Sequence, residues 1–140
     1  MSIQMILAPL FVQVLLTLAV LYTLGGRRFG AFKRGEVAGP VSLREGNWPV
    51  KARQAEFNYQ NQFELPVLFY LLTVLSIMTR HADLFFVLMA WVFVTLRVLH
   101  ALVHVTSNDL RLRASLFAAS AIVLTVMWVV FIVRILLGLP

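Results

Sequence analysis

The chain contains no cysteine among its 140 residues. This absence excludes disulfide bonds, thiolate metal sites and a protein thiol nucleophile. Any thiol chemistry at this protein must therefore use a thiol that a ligand supplies. Charged residues are also scarce, at 13% of the sequence, whereas 61% of the residues are hydrophobic. That balance lies outside the range of soluble globular domains and is typical of a membrane protein.

Acidic residues are the scarcer charge: six Asp and Glu stand against twelve Lys and Arg, which gives a net charge of +6. In a soluble protein such an excess would indicate nucleic-acid binding. Here the basic residues flank apolar segments, so we expect them to contact anionic membrane lipids and to set the topology, with no nucleic-acid partner. The chain length leaves room for a single domain, residues 1–140.

Four long apolar segments predict an all-α integral membrane four-helix bundle. The spans are placed at about 3–24, 56–78, 84–106 and 116–137. Each holds roughly 20 residues or more, which is enough to cross a hydrocarbon layer of about 30 Å. Gly25 and Gly26 are expected to end the first helix, and the polar stretch after them is expected to form a loop at the membrane surface.

Basic residues are concentrated in the first and third connectors, and this asymmetry predicts the orientation in the membrane. They are Arg27, Arg28, Lys33, Arg34, Arg44, Lys51, Arg53, Arg111 and Arg113. The opposite side carries only Arg80 and Arg134. The positive-inside rule therefore places both connectors in the cytoplasm and both chain termini outside it. The first span is too long for a signal-peptide core and lacks a basic segment before it, so we expect it to remain as an anchor.

The third span carries a narrow polar stripe on an otherwise apolar helix. Arg97, His100, His104, Asn108 and Arg111 follow one another at intervals of three or four residues. On a helix this spacing confines them to an arc of about 80°. Such a stripe faces protein or water rather than lipid. No glutamate stands between the two histidines as it does in the zinc-protease motif, so no metal site is predicted.

Glu64 stands in the second span, two residues before Pro66 and at the start of a long apolar run. A carboxylate at the centre of a membrane helix costs roughly 2.5–3.5 kcal/mol, so such a residue usually faces a partner or a wet cavity. At 1.5 Å per residue, Glu64 and Arg97 both lie roughly 12–14 Å from the cytoplasmic boundary. We expect them to face one polar cavity open to the cytoplasm, with Asn61 and His100 nearer its mouth. A buried salt bridge that holds subunits together explains the pair equally well.

These residues resemble the motifs of the MAPEG family, the membrane-associated proteins in eicosanoid and glutathione metabolism. Asn61 and Glu64, with Pro66 just after them, are similar to its Asn-x-x-Glu motif, and Arg97 and His100 are similar to its Arg-x-x-His motif. The resemblance covers the whole chain and is strongest to a bacterial branch, which implies a bacterial inner membrane. It also implies a homotrimer whose sites lie between subunits and bind glutathione from the cytoplasmic side and a lipophilic small molecule from the bilayer.

The resemblance further implies the roles of individual residues. Arg113 is the catalytic candidate, because a nearby cation favours the thiolate form of a bound thiol. Arginines suit the carboxylates of glutathione, and a glutamate suits its ammonium group. His104 stands where enzymatic members of the family carry a tyrosine. The expected glutathione contacts are Asn61, Glu64, Arg97, His100 and His104.

Three functions are compatible with these patterns. The first is a glutathione-dependent transferase or peroxidase that acts on lipophilic electrophiles. The second is a non-catalytic lipid-binding or scaffold protein of the same fold, in which the polar stripe only holds subunits together. The third is a small proton-coupled exporter, since four short spans with one intramembrane glutamate suit that role. The arginine and histidines of the stripe favour an anion site over a site for a cationic drug.

Overall fold

The computed structural model describes residues 1–37 and 48–140, and these ranges contain helices and no strands. The helices are α1 (Ile3–Lys33), α2 (Val50–Asn61), α3 (Leu65–Met78), α4 (Leu84–Val105) and α5 (Leu110–Leu136). By length and apolar composition, four segments within the described ranges can cross a membrane: α1, α4, α5, and α2 together with α3. This arrangement confirms the predicted all-α fold with four candidate spans.

α1 does not end at Gly25 and Gly26, where the sequence predicted its end, but continues to Lys33. Each glycine inside a helix costs roughly 0.5–1 kcal/mol relative to alanine. Contacts beyond the two glycines offset this cost, because Ala31 is fully buried and Arg28 forms an ion pair with α2. Tertiary packing therefore overrides the low helix propensity of the glycines.

The connector between α1 and α2 is shorter than predicted, because helix continues to Lys33 and begins again at Val50. Residues 38–47 lie outside the described residues. They include Arg44, one of the basic residues from which the orientation was predicted. Arg27 and Arg28, which were expected to contact lipid headgroups, both make contacts within the protein. Arg27 donates to the carbonyls of Lys51 and Val105, both at 2.9 Å, and so ties α1 to α2 and to the end of α4.

The predicted second span is interrupted at residues 62–64, so α2 and α3 are separate helices. Pro66 has no N–H, and its ring would collide with the carbonyl four residues earlier, which prevents a continuous helix. In the first turn of α3 the missing donor costs nothing, because no intrahelical acceptor exists there. The end of α2 is closed by hydrogen bonds between residues that are three apart in the sequence. The N–H groups of Gln62, Phe63 and Glu64 donate to the carbonyls of Tyr59, Gln60 and Asn61 at 3.0–3.4 Å.

The apolar core occupies the half of the bundle that contains the α3–α4 connector. There α4 packs against α1 and α5, and the rings of Phe69 and Phe93 stack with centroids 4.9 Å apart. Ile6, Leu72 and Leu124 complete the contacts between helices in this half. Most of the buried polar side chains lie in the other half, toward the first and third connectors, although the hydroxyls of Thr73 and Ser76 are buried in the apolar half. The larger buried polar groups are therefore concentrated at the end of the bundle that holds the first and third connectors.

A buried network of amides joins three helices at the boundary between the two halves. The Nε2 of Gln13 donates to Oε1 of Gln62 at 2.9 Å, and the Nε2 of Gln62 donates to the carbonyl of Asn58 at 3.1 Å. The Nδ2 of Asn58 donates in turn to the carbonyl of Ala101 at 3.3 Å. All three side chains are at most 1% exposed. The network therefore links α1, the break after α2, and α4.

We expect Gln62→Leu to destabilise the protein by about 1–2 kcal/mol, because it leaves the buried Gln13 amide without its partner. Adding Gln13→Leu should recover part of that loss, since it removes the amide that Gln62→Leu leaves unsatisfied. Chemical unfolding in detergent measures the free energy of unfolding for Gln62→Leu, Gln13→Leu and the double variant, with the exposed Gln60→Leu as a control. A double variant that loses the full sum of the two single losses would contradict the pairing.

Candidate functional site

A cavity of about 350 Å³ lies between α2, α4 and the start of α5, and it is called the first cavity below. Four of the six predicted site residues line it: Asn61, His100, His104 and Arg113. The remaining walls are mainly apolar and include Phe57 of α2 and Phe117 of α5. Residues that are far apart in sequence therefore meet at one cavity.

A second cavity of about 290 Å³ adjoins the first and shares Phe57, His104 and Arg113 with it. Its additional lining is polar and basic, with Arg53 from α2 and Asn108 from the turn before α5. The two cavities therefore form one groove with an apolar part and a basic part. Arg113 and His104 stand where the two parts meet.

α4 brings His100 and His104 together because they lie four residues apart, on one face of the helix. Their ring centroids are 5.7 Å apart at an angle of 75°, and the two residues are only 2% and 3% exposed. The Nδ1 atom of each ring is buried and has no hydrogen-bond partner in the described part of the chain. Both histidines thus offer unused hydrogen-bonding capacity beside the groove.

Arg97 lies one turn deeper on α4 and is fully buried. Its Nη2 donates to the carbonyl of Asn61 at 3.1 Å, and its guanidinium lies 5.9 Å from the ring centroid of Phe117. A cation at the carboxyl end of a helix such as α2 is favoured by the helix dipole. Arg97 lines neither cavity. Its Nε and Nη1 atoms have no partner within residues 1–37 and 48–140.

Glu64 does not join this group within the single chain. The break between α2 and α3 turns it outward, with φ −97° and ψ −102°, and its side chain is exposed. Glu64 lines neither cavity. The described residues form three ion pairs within 4.0 Å, Arg28–Glu56, Arg34–Glu36 and Arg134–Asp83, so the expected direct pair of Glu64 with Arg97 is not formed.

The polar stripe is also shorter than predicted, because α4 ends at Val105. Asn108 lies in the turn after α4, and Arg111 is exposed in the first turn of α5. α5 begins at Leu110, about six residues before the expected span, since Asp109 caps its first turn. The Ser-Asn-Asp sequence is a helix-start signal that would have located this boundary.

Sequence patterns did not identify Arg53, Phe57 and Phe117 as groove residues, and they did not place Asn108 among the binding residues. Asn108 had two signals, its place in the polar stripe and the helix-start sequence before α5. Phe57 and Phe117 had none, because an aromatic residue on a membrane helix faces lipid or core with equal ease until the helices pack. In the ranges that the structure describes, no three His, Asp or Glu side chains are grouped so that they could hold a metal ion.

Comparison with known proteins adds one finding to this geometry. A family model described as MAPEG family matches residues 6–133, which include both cavities and the break between α2 and α3. No curated protein and no solved structure matches the chain.

Proposed function

Because the chain belongs to the MAPEG family, we propose that it is a glutathione-dependent membrane transferase or peroxidase that acts on lipophilic electrophiles. The observation that carries the proposal is the groove between α2, α4 and α5. In this groove Arg113 stands between a basic cavity and a largely apolar one. A site for a charged thiol and an apolar partner requires both environments within reach of one cation.

The basic cavity suits the charged ends of glutathione. Arginine binds carboxylates through forked, charge-assisted hydrogen bonds, and both Arg53 and Arg113 line this cavity. Asn61, His100 and His104 add polar groups that form hydrogen bonds along the first cavity. Phe57 and Phe117 supply an apolar wall for a lipophilic electrophile. The residues therefore fit the proposed ligand pair.

The chemistry requires a stabilised thiolate, since the protein has no thiol of its own. Bound glutathione would supply that nucleophile, and the thiol proton would pass to water. The sulfur would then bond to the electrophilic carbon, while the leaving group departs with its electron pair. Arg113 would lower the pKa of the thiol by placing a positive charge beside it. The apolar wall would exclude water and strengthen this electrostatic effect.

We also propose a homotrimer that completes the site. A buried guanidinium with unpaired nitrogens is costly in a membrane, as is an exposed carboxylate at the centre of a span. In the isolated chain Arg97 is such a guanidinium, and Glu64 is such a carboxylate. A neighbouring copy or a glutathione molecule at the subunit seam would supply their partners.

Native mass spectrometry in detergent should therefore detect three chains in each particle. Glu64→Gln should weaken this assembly, because the carboxylate is proposed to act at the seam. The exposed Gln60→Leu serves as a control on the same helical segment. A stable monomer of the unmodified chain would contradict the trimer.

A non-catalytic scaffold or lipid-binding protein of the same fold is the second candidate. One observation favours it: buried polar side chains, one of them from the predicted stripe, are used to join helices. Arg97 donates to the carbonyl of Asn61, and Asn58 donates to that of Ala101. In this case the groove would hold lipid, and thiol turnover would be absent.

Isothermal titration calorimetry of the purified protein with glutathione tests the proposed function. Arg113→Ala should weaken binding and lower kcat/KM for glutathione with chlorodinitrobenzene by about 10- to 100-fold, the effect of one hydrogen bond to a charged group. Arg111→Ala is the matched control, because Arg111 lies two residues away and lines neither cavity. Absence of glutathione binding at millimolar concentration would exclude the proposal.

The proposed orientation, in a bacterial inner membrane with both termini outside the cytoplasm, has its own test. Because the chain lacks cysteine, Ser107→Cys and Thr79→Cys introduce single thiols into two exposed turns at opposite ends of the bundle. A membrane-impermeant maleimide should label the first variant in inverted vesicles and the second in intact spheroplasts. The reverse pattern would show that the orientation is inverted.

A further inference from the structure

The turn between α4 and α5 holds Asn108 in a left-handed backbone conformation, with φ +52°. Few residues other than glycine adopt this conformation, and asparagine is among those that tolerate it best. The N–H of Asn108 donates to the carbonyl of Val103 at 2.7 Å, which closes the end of α4. The backbone thus fixes the position of this residue at the edge of the second cavity.

α5 begins directly after this turn, so its first residues are fixed as well. The Oδ1 of Asp109 accepts hydrogen bonds from the N–H groups of Arg111 and Leu112, at 3.0 and 3.4 Å. The N–H of Arg113 donates to the carbonyl of Asp109 at 2.9 Å. These bonds hold the backbone of Arg113, but they leave its long side chain free to rotate.

Asn108 restrains that side chain. Its Oδ1 accepts a hydrogen bond from Nη1 of Arg113 at 2.6 Å. Hydrogen bonds with one ionised partner are short and about twice as strong as neutral ones. The side chain of Arg113 makes no other hydrogen bond in the ranges that the structure describes. A guanidinium carries five N–H donors, so this contact can orient its plane and leave the other donors available.

We propose that Asn108 is a positioning residue that holds the guanidinium of Arg113 between the two cavities, with its remaining N–H groups available to the sulfur of a bound thiol. The inference rests on the proposed function, because Arg113 is the group proposed to stabilise the thiolate. Asn108 acts through Arg113 and not on the sulfur. Donors that are oriented before the charge develops stabilise it without further reorganisation.

Two substitutions distinguish the effect of the Asn108 side chain from the effect of its backbone conformation. Asn108→Gly retains the left-handed conformation, which glycine adopts readily, and removes the acceptor oxygen. Asn108→Asp retains an acceptor. Arg80→Gly is the matched control, since Arg80 has φ +59° in the turn before α4 and lines neither cavity. It reports the effect of glycine at a left-handed position away from the groove.

The assay measures glutathione conjugation of chlorodinitrobenzene across a range of pH. We expect Asn108→Gly to lower kcat about 10- to 100-fold, the effect of one hydrogen bond to a charged group. It should also raise the pKa of the bound thiol, so that the rising part of the rate profile moves to higher pH. Asn108→Asp should recover part of the lost kcat, and Arg80→Gly should change neither quantity.

The outcomes distinguish the two proposals. If the unmodified protein neither binds glutathione nor turns over the electrophile, the proposed function is wrong, and the role of Asn108 is wrong with it. If the unmodified protein is active and Asn108→Gly has the same kcat and pH profile, only the positioning role is wrong. Should Asn108→Gly fail to fold, Asn108→Ser replaces it in the same assay, because its hydroxyl extends one bond less from the backbone than the amide oxygen. An unchanged Asn108→Ser enzyme would likewise overturn the role.

Discussion

The hydrogen bond from Arg97 to the carbonyl of Asn61 is the contact on which the polar half of the bundle depends. Pro66 interrupts the second span, so the last carbonyl groups of α2 have only donors three residues away, and the N–H of Glu64 lies as far as 3.4 Å from the Asn61 carbonyl. Inside a membrane, water is not available to satisfy them, so protein groups must do so. A fully buried arginine on α4 meets this need and also complements the dipole of α2. Together with the bond from Asn58 to the carbonyl of Ala101, it ties α2 to α4, and the first cavity forms between these two helices.

The bundle therefore has two halves with different physical roles. One half is an apolar core that dispersion and tight packing stabilise, with the stacked pair Phe69 and Phe93 at its centre. The other half contains buried amides, an arginine and two histidines, of which some join helices and some line the groove. Polar groups in this half are specific in their pairing, because an unpaired one is costly in a low-dielectric interior. The groups that stay unpaired in the described residues, above all Arg97, are the basis on which we propose a ligand or a second subunit at this place.

Much of this arrangement follows from local sequence patterns. The spacing of Arg97, His100 and His104 placed all three on one buried face of α4, as the structure confirms. The patterns were less informative at helix ends, where Gly25 and Gly26 are overridden by packing and where Pro66 separates two helices. Local propensities are worth about 1 kcal/mol at a glycine, and contacts with other helices can exceed that amount.

By itself, the sequence determined that the chain forms apolar helices of membrane-spanning length, and which face of α4 is polar. Both properties depend on residue type and helical period alone. The tertiary structure decided which polar residues line the groove and which hold the helices together. It turned Glu64 outward at the break, brought Asn108 to Arg113, and placed Phe117 opposite α4. A periodic pattern defines directions around one helix axis, but the rotation of each helix and its distance from its neighbours arise only when all the helices pack together.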